Sequence, residues 1–316
     1  MTEGPVVLLK LLDLKPYRHS ESCGDLAVLG GSILVLAGAE DSARAGLARM
    51  IAGQEKPWSG IIRVGRRMVE ADNRQARKYV GYVRKPFVSP PEVTPRAHLM
   101  LTAAGYGLGR KEAEGAVEEL IRWCSLASVA GRPLDTLTED QRYATGFASA
   151  LLHGPQLMVV EGPVPEFIAS RLDDISESGR AVVLAVPGIE HIPPGADRIA
   201  LCSDRGIAHV VRQSDLADAC RKSAEIRVSF YPSLDRRIIE GLPGARGLVA
   251  IEGGYRFRHT NTASAVSNLA NMARANARSL VGLDIRPPSI RTLIEYFSEE
   301  DEPGEAQLLC LDDRES

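Results

Sequence analysis

The sequence predicts an α/β protein in which a mixed, mainly parallel sheet carries a helical insertion and is followed by a small α+β domain. Two continuous apolar runs, Leu157–Val160 and Ala181–Val186, are typical of parallel strands that are buried on both faces. A third run, Ile33–Ala37, leads through Gly38 into a segment with apolar residues at helical spacing. After residue 225 the pattern changes to short strands and helices in β-α-β-β-α-β-α order, which indicates the second domain.

The individual elements follow from hydrophobic periodicity and from the turn residues between them. In the first part of the chain, strands are predicted over residues 6–12, 26–37, 60–65, 79–83, 157–160, 181–186, 198–202 and 206–211. Helices are predicted after Gly38 and over residues 94–104, 111–124 and 141–152. In the second part, strands are predicted over 226–230, 247–251, 255–258 and 281–285, and helices over 234–241, 263–278 and 289–297.

The domain boundaries are placed where this pattern changes. A chain of 316 residues is long enough for two domains. We expect a first domain over 1–213 with a helical subdomain at about 88–155, a linker over 214–224, an accessory α+β domain over 225–298 and an acidic tail over 299–316. The chain is expected to become polar and helical over 213–223, where the pattern changes.

Composition excludes several classes of function. The net charge of −3 gives no electrostatic argument for nucleic-acid binding. The five cysteines are scattered, and neither they nor the six histidines have metal-ligand spacing, so we expect reduced thiols and no metal site. The longest apolar stretch, Leu26–Ala39, is too short and too rich in glycine to span a bilayer. Residues 1–15 suit a strand better than a signal peptide, and any membrane association would require a partner.

The segment after Ile33–Ala37 has the frame of a phosphate-binding loop, G-x-x-x-x-G-K-[ST], without its reactive side chains. Arg44 stands at the lysine position, and Ala45 stands where a hydroxyl would bind magnesium. The loop also carries Glu40 and Asp41. A carboxylate at 5 Å from a phosphate charge costs roughly 3 kcal/mol at an effective dielectric constant near 20. Asp41 is expected to cap the helix and to occupy the backbone N–H groups that would hold phosphate.

Four further landmarks follow the loop in order: Ala52–Gly65, Gly81–Lys85, Leu137–Arg142 and Leu157–Pro163. Together with the loop, they resemble the nucleotide-binding subunit of ATP-binding-cassette (ABC) transporters over roughly residues 5–213. The resemblance implies a P-loop NTPase-like fold. Residues from 225 to about 298 resemble the accessory domain on ATPase subunits of bacterial drug and polysaccharide exporters.

Within this resemblance, two family segments depart from the functional pattern. Lys85 replaces the glutamine that senses magnesium and contacts the membrane subunit. The signature L-S-G-G-Q is read as residues 137–141, where only the hydroxyl of Thr138 and Gln141 are retained. Glu139 and Asp140 add bulk and negative charge in place of two glycines. A structural interpretation is also open, because acidic residues in the first turn stabilise a helix.

The positions that the resemblance assigns to ATP hydrolysis also differ from the functional family pattern. Glu161 replaces the aspartate that holds magnesium, Gly162 replaces the catalytic glutamate, and Pro187 replaces the switch histidine. Glycine cannot position or deprotonate water. Glu161 is interpreted either as a relic or as a partner for Arg44. Tyr17 is either an edge tyrosine or the aromatic residue on which adenine stacks.

These departures predict a catalytically degenerate subunit of an ABC exporter-like complex. It would be cytoplasmic and peripheral on the cytoplasmic face of the inner or plasma membrane, bound to a membrane-spanning subunit and to a second ABC ATPase subunit. No cofactor is expected, although weak binding of ATP and magnesium stays open. The apolar segment near residues 86–106, with Phe87, Leu99 and Leu101, is the predicted docking site. Alternatives are a scaffold outside transport and, ranked last, a slow ATPase that uses Glu161 as base.

Overall fold

The computed structural model describes residues 6–39, 42–69, 76–259 and 261–300. This part of the chain divides into two compact units, one that extends to Val210 and one that begins at Val211. Each unit has its own cluster of buried hydrophobic side chains.

The first unit contains two sheets, whose strands are numbered in chain order. The smaller sheet has the order β2 (Leu26–Leu29), β1 (Val7–Lys15), β4 (Ser59–Val64) and β5 (Arg67–Met68), with antiparallel neighbours. The larger sheet has the order β10 (Ile207–Arg212), β9 (Arg198–Cys202), β3 (Ile33–Ala37), β8 (Ala181–Val186), β7 (Leu157–Glu161) and β6 (Val80–Val83). From β9 to β6 all neighbours are parallel, which confirms the predicted mainly parallel sheet.

The central strands β3 and β8 are completely buried, as their continuous apolar sequences predict. The predicted strand over 26–37 is divided in the structure, because the chain turns between β2 and β3 with Gly31 at a φ of 81°. Leu47, Met50 and Ile51 of helix α1 (Arg44–Ile51) belong to the same hydrophobic cluster as side chains of both sheets. This packing holds α1 against the sheets, with its start near the carboxyl end of β3.

The remaining helices of this unit are α2 (Pro95–Gly105), α3 (Arg110–Trp123), α4 (Glu139–Leu151) and α5 (Glu166–Glu177). Helix α2 begins as predicted, since the Thr94 hydroxyl accepts a hydrogen bond from the Ala97 N–H at 3.2 Å. The sequence-based assignment missed α5, although its buried Ile168, Leu172 and Ile175 have helical spacing. No helix within the described ranges is long and apolar enough to cross a bilayer.

The second unit begins with α6 (Gln213–Lys222), which agrees with the helix expected over 213–223. It continues with β11 (Glu225–Tyr231), α7 (Arg236–Glu240), β12 (Ala245–Ile251), β13 (Gly254–His259), α8 (Thr262–Ala275), β14 (Ser279–Arg286) and α9 (Ile290–Glu300). The sheet is antiparallel in the order β12-β13-β11-β14. This is the split β-α-β arrangement of ferredoxin-like domains. Its helix-covered face holds the hydrophobic cluster of this unit, with Ile226, Phe257 and Leu269 at its centre.

Candidate functional site

The candidate site lies where α1 begins, beside the carboxyl ends of β3, β7 and β8. Between β3 and α1, the Ser42 hydroxyl donates to the Ala39 carbonyl at 2.6 Å and accepts from the Arg44 N–H at 3.4 Å. The described residues on the two sides of positions 40 and 41 are thus joined through the Ser42 hydroxyl. Glu40 and Asp41, including the predicted cap by Asp41, lie outside the described residues.

Arg44, at the lysine position of the loop, is buried with 8% of its surface exposed. Its Nη1 donates to the carbonyl oxygen of Ala185 in β8 at 3.3 Å. The side chain therefore runs into the protein along the end of the parallel sheet. The adjacent Ala45 is partly buried and has only a methyl group to offer a ligand.

Tyr17 reaches the same helix start from the loop after β1. A methyl group on Gly46, in the first turn of α1, would overlap the Tyr17 hydroxyl. The ring is 39% exposed, and burial together with the charge of Glu55 raises the pKa of its phenol, while Arg49 acts in the opposite direction. The structure thus places Tyr17 against the helix start, and adenine stacking on it stays a prediction.

The carboxylate of Glu161, at the end of β7, has a local hydrogen-bond donor. The Tyr82 hydroxyl donates to Glu161 Oε1 at 2.7 Å, and the Tyr143 hydroxyl donates to the Glu161 backbone carbonyl at 2.9 Å. Burial and the hydrogen bond to Glu161 raise the pKa of Tyr82 well above its usual range. The Glu161 carboxylate, which the sequence left either as a relic or as a partner for Arg44, is hydrogen-bonded to Tyr82 in the described structure.

Sequence reasoning did not identify Tyr82 or Tyr143 as part of this site. A usable signal exists for Tyr82, because β6 and β7 are parallel neighbours and Tyr82 stands opposite Val159, two residues before Glu161. Tyr143 is fully buried in α4, which follows the signature segment. Its hydroxyl needs a buried acceptor, and the end of β7 supplies one.

Gly162 and Lys85 occupy neighbouring positions at the end of β7. Gly162 has a φ of 99°, a left-handed conformation that other residues rarely adopt. A Cβ added to Gly162 would lie 3.0 Å from Lys85 Cβ. The Lys85 ammonium in turn lies 3.2 Å from Glu139 Oε1 at the start of α4. The structure therefore links the positions read as the magnesium-sensing glutamine and the family signature within one chain.

The two retained signature residues form the N-terminal cap of α4. The Thr138 hydroxyl accepts from the Gln141 N–H at 3.3 Å, and the Gln141 side-chain carbonyl accepts from the Thr138 N–H at 3.1 Å. This reciprocal pair is a capping box, which satisfies two backbone donors at the helix start. Glu139 and Asp140 occupy the first turn, as the structural interpretation expected.

Pro187 follows β8 directly and is partly buried, without a side-chain group that can donate or accept a proton. The described residues contain no group of three or more His, Cys, Asp or Glu side chains arranged to hold a metal ion. At the loop position where magnesium would need a hydroxyl there is only the methyl group of Ala45, and the Glu161 carboxylate is engaged by Tyr82. Of these two side chains, only that of Glu161 has oxygen atoms that coordinate magnesium.

The segment expected to dock a partner is only partly exposed. Leu99 is fully buried, so its prediction as an exposed docking residue is wrong. It lies on the inner face of α2 with Pro95 and Ala103, which repeat every four residues. Phe87 is partly buried and contacts His98 edge-to-face at 5.3 Å between ring centroids. Leu101, by contrast, is 67% exposed.

Comparison with known proteins agrees with this geometry. A family model described as "ABC transporter" matches residues 25–164, which include the loop, α1 and the end of β7. The chain contains an ABC transporter ATP-binding domain. Nod factor export ATP-binding protein I of Rhizobium etli is 27% identical to this cassette chain over 215 residues, covering 63% of it and 68% of the relative. Linearmycin resistance ATP-binding protein LnrL of Bacillus subtilis is 23% identical, covering 59% and 62%.

The ABC domain is also similar to a segment of a much larger protein. Human ATP-binding cassette sub-family A member 10 is 25% identical over 177 residues, which are 12% of its length. The chain thus spans less than two thirds of both this relative and LnrL. The solved structure of cbiO1 from Clostridium perfringens, part of the ABC transporter complex cbiONQ, matches with a TM-score of 0.60 at 15% identity, covering 67% of this chain and 91% of that one. At this identity the similarity establishes the ABC ATPase fold.

Proposed function

We propose that this chain is a catalytically inactive ATP-binding-cassette subunit of an exporter-type complex. It binds the cytoplasmic face of a membrane-spanning subunit and pairs with a second, more complete cassette. The observation that carries this proposal is the combined change at three positions. Ala45, Gly162 and Pro187 each stand where the family pattern requires a group that binds magnesium or handles a proton.

The surroundings of the loop support the absence of turnover. The Arg44 guanidinium is buried against the Ala185 carbonyl, and the Tyr17 hydroxyl lies against the first turn of α1. Phosphate binding at a helix start depends on backbone N–H groups that remain accessible. The carboxylate of Glu161, at the end of β7, already accepts the Tyr82 hydrogen bond.

The signature segment supports the same conclusion for a site shared with a partner. In this family the resemblance implies head-to-tail dimers, in which one subunit's signature faces the other's phosphate loop. Here Glu139 is paired with Lys85 of its own chain, while Thr138 and Gln141 cap α4. A partner's nucleotide would face two carboxylates, Glu139 and Asp140, where the family has glycines. We infer that this chain contributes architecture to an asymmetric pair.

Membrane docking is supported by exposed apolar side chains beside the helical insertion. Val88 is 71% exposed and Leu101 is 67% exposed. Singly exposed apolar side chains are common on protein surfaces, so the support for docking comes from their position in the segment that the resemblance assigns to the membrane subunit. The name of one similar protein, Nod factor export ATP-binding protein I, supports the exporter class.

The ATPase part of the proposal is tested by measuring phosphate release from the purified chain with magnesium and ATP. We expect no release above that of a Glu161→Gln variant. Because catalytic groups act as a unit, Ala45→Ser alone should also fail to restore turnover. Phosphate release that the Glu161→Gln substitution abolishes would instead establish the slow ATPase.

The docking part is tested by cell fractionation and pull-down of the full chain. Val88→Glu and Leu101→Glu should each release the chain from membranes, because they place a charge in an apolar contact. Val281→Glu, at an exposed apolar position of β14, is the matched control and should leave the association unchanged. A chain that recruits neither an integral membrane protein nor a second cassette would favour the scaffold alternative.

A further inference from the structure

The second unit contains a cavity of about 550 Å³ that the cassette resemblance does not explain. Its lining comes from four elements: the end of α6 with Lys222 and Ser223, β12 with Arg246, β13 with Arg258, and one side of α9 with Glu295 and Tyr296. This volume falls within the range of roughly 300–1,000 Å³ that is usual for small-molecule sites. The cavity is therefore large enough to hold a metabolite.

Two cations that line the cavity face each other across neighbouring strands. Arg246 of β12 and Arg258 of β13 are direct partners in the antiparallel register. Like charges placed opposite each other in this way destabilise a sheet. Arg258 approaches Glu295 at 3.8 Å, but Glu295 also approaches Arg291 at 3.4 Å. Arg246 forms no ion pair with any residue that the structure describes.

A second pair of opposed arginines on the same sheet is neutralised by a carboxylate. Arg227 of β11 and Arg256 of β13 are also direct register partners. Between them lies Glu225, whose carboxylate is 2.9 Å from Arg227 and 3.6 Å from Arg256. The pair that lines the cavity has no comparable bridging carboxylate among the described residues, so a bound anion would fill this role.

The other walls restrict which anion fits. Lys222 adds a third cation and donates to the Tyr296 hydroxyl at 3.2 Å, and Tyr296 offers an aromatic wall. His259 is not available as a ligand, since it is buried and its two ring nitrogens contact the Pro243 carbonyl and the Asn261 N–H. Glu299, on the α9 side, would accept a hydrogen bond from a hydroxyl or amine of the ligand.

We propose that this cavity binds a small phosphate-bearing molecule, with Arg246 and Arg258 holding the phosphate group. Planar guanidinium groups bind phosphate oxygens through paired N–H donors, and a dianion neutralises two arginines at once. The hydroxyls of Ser223 and Thr292 and the carboxylate of Glu299 then meet the polar remainder of the molecule. The assignment is independent of whether the cassette domain hydrolyses ATP.

The experiment is calorimetric titration of the full chain with glycerol 3-phosphate, at an ionic strength held constant with sodium chloride. Wild-type protein should show saturable binding. Arg246→Gln and Arg258→Gln should each weaken it about tenfold or more, because each removes a charge-assisted hydrogen bond. Arg256→Gln removes the same charge from the same strand outside the cavity, so its affinity should stay within about twofold of wild type.

A second measurement guards against misfolded variants. Glycerol 3-phosphate should raise the thermal midpoint of wild-type protein and of Arg256→Gln, but not that of Arg246→Gln. Cosedimentation with phosphatidic acid vesicles separates the two sources of the phosphate group. Binding to vesicles alone, lost in Arg246→Gln, would support the phosphate assignment and place it on a lipid headgroup. The proposal is overturned by binding to neither probe up to about 10 mM, or by equal weakening in Arg256→Gln.

Discussion

At the scale of single residues, the end of β7 is packed against two side chains from other parts of the chain. Tyr82 holds the Glu161 carboxylate, and Lys85 lies against Gly162. Both contacts join residues that are distant in the sequence. A substitution that restores a family residue at position 161 or 162 must therefore fit beside Tyr82 or Lys85. Its effect on stability depends on these neighbouring side chains.

Replacing Gly162 with Glu is expected to destabilise the protein without producing ATPase activity. The left-handed backbone and the 3.0 Å approach of a new Cβ to Lys85 together cost about 1–3 kcal/mol. Urea denaturation measures the change in the free energy of unfolding. Gly115→Ala is the control, because Gly115 lies within α3 with open space around it, and alanine there should stabilise by up to about 1 kcal/mol. Equal stability of Gly162→Glu and wild type would contradict the expectation.

Replacing Tyr82 with Phe is expected to flatten the loss of stability at alkaline pH. The folded pKa of Tyr82 is raised by burial and by Glu161, whereas an unfolded tyrosine titrates near pH 10. The unfolded chain therefore loses this proton first, so its contribution is complete below about pH 10 and is lost as the pH rises further. Thermal midpoints between about pH 9 and 11 measure the slope. Tyr231→Phe, which makes the same substitution at an exposed position outside this site, is the matched control.

At the scale of elements, α4 connects the signature segment to the site through its N-terminus. The capping box of Thr138 and Gln141 fixes where the helix begins, and the Lys85–Glu139 pair attaches that first turn to the segment after β6. Since the side chains of Lys85 and Glu139 are partly exposed, the ion pair should contribute less than about 1 kcal/mol. The cap is therefore expected to be the stronger of the two interactions.

Replacing Thr138 with Ala is expected to lower the free energy of unfolding by about 1 kcal/mol, the usual cost of a lost N-terminal cap. Asp140→Ala provides the matched control, because Asp140 is exposed in the same turn and makes no cap hydrogen bond in the described structure. Both values come from chemical denaturation of the full chain. If the two variants lose the same amount, the capping box does not determine the start of α4.

The secondary-structure elements differ in how well the sequence alone predicts them. Local patterns predicted β7, β8 and the start of α2, because apolar runs and cap residues act within a few positions. The helical pattern predicted a start of α4 at Gln141, whereas the interpretation of Glu139 and Asp140 as first-turn residues agrees with the observed start at Glu139. The burial of Leu99 and the Tyr82–Glu161 hydrogen bond depend on neighbours from other elements, which periodicity does not reveal.

At the scale of the whole molecule, the chain combines two units with separate hydrophobic clusters. The ABC family match lies entirely in the first unit and ends at residue 164. The proposed phosphate site lies entirely in the second. The stabilising effect of a ligand can therefore be assigned to one unit by finding which unit's variants remove it.

Magnesium and ATP at about 1 mM should stabilise the whole chain by less than about 0.5 kcal/mol, as expected for millimolar or weaker affinity. The loop lacks a magnesium ligand at Ala45, and Arg44 is directed toward Ala185. Differential scanning calorimetry measures the stabilisation, and Arg44→Gln tests whether any effect arises at the loop. Micromolar affinity that disappears in Arg44→Gln would contradict the prediction, whereas a shift lost only in Arg246→Gln would come from the second unit.

The contact between Gly162 and Lys85 has a consequence for how this chain can evolve. A mutation that brings a carboxylate back to position 162 meets a left-handed backbone and a lysine stem at once. Such a mutant is expected to be less stable than the wild type. Under the proposed function it also gains no turnover, because Ala45 and Pro187 still lack reactive groups. A single substitution at position 162 therefore carries a cost in stability, and a less costly route would change Lys85 and the backbone at this position together with it.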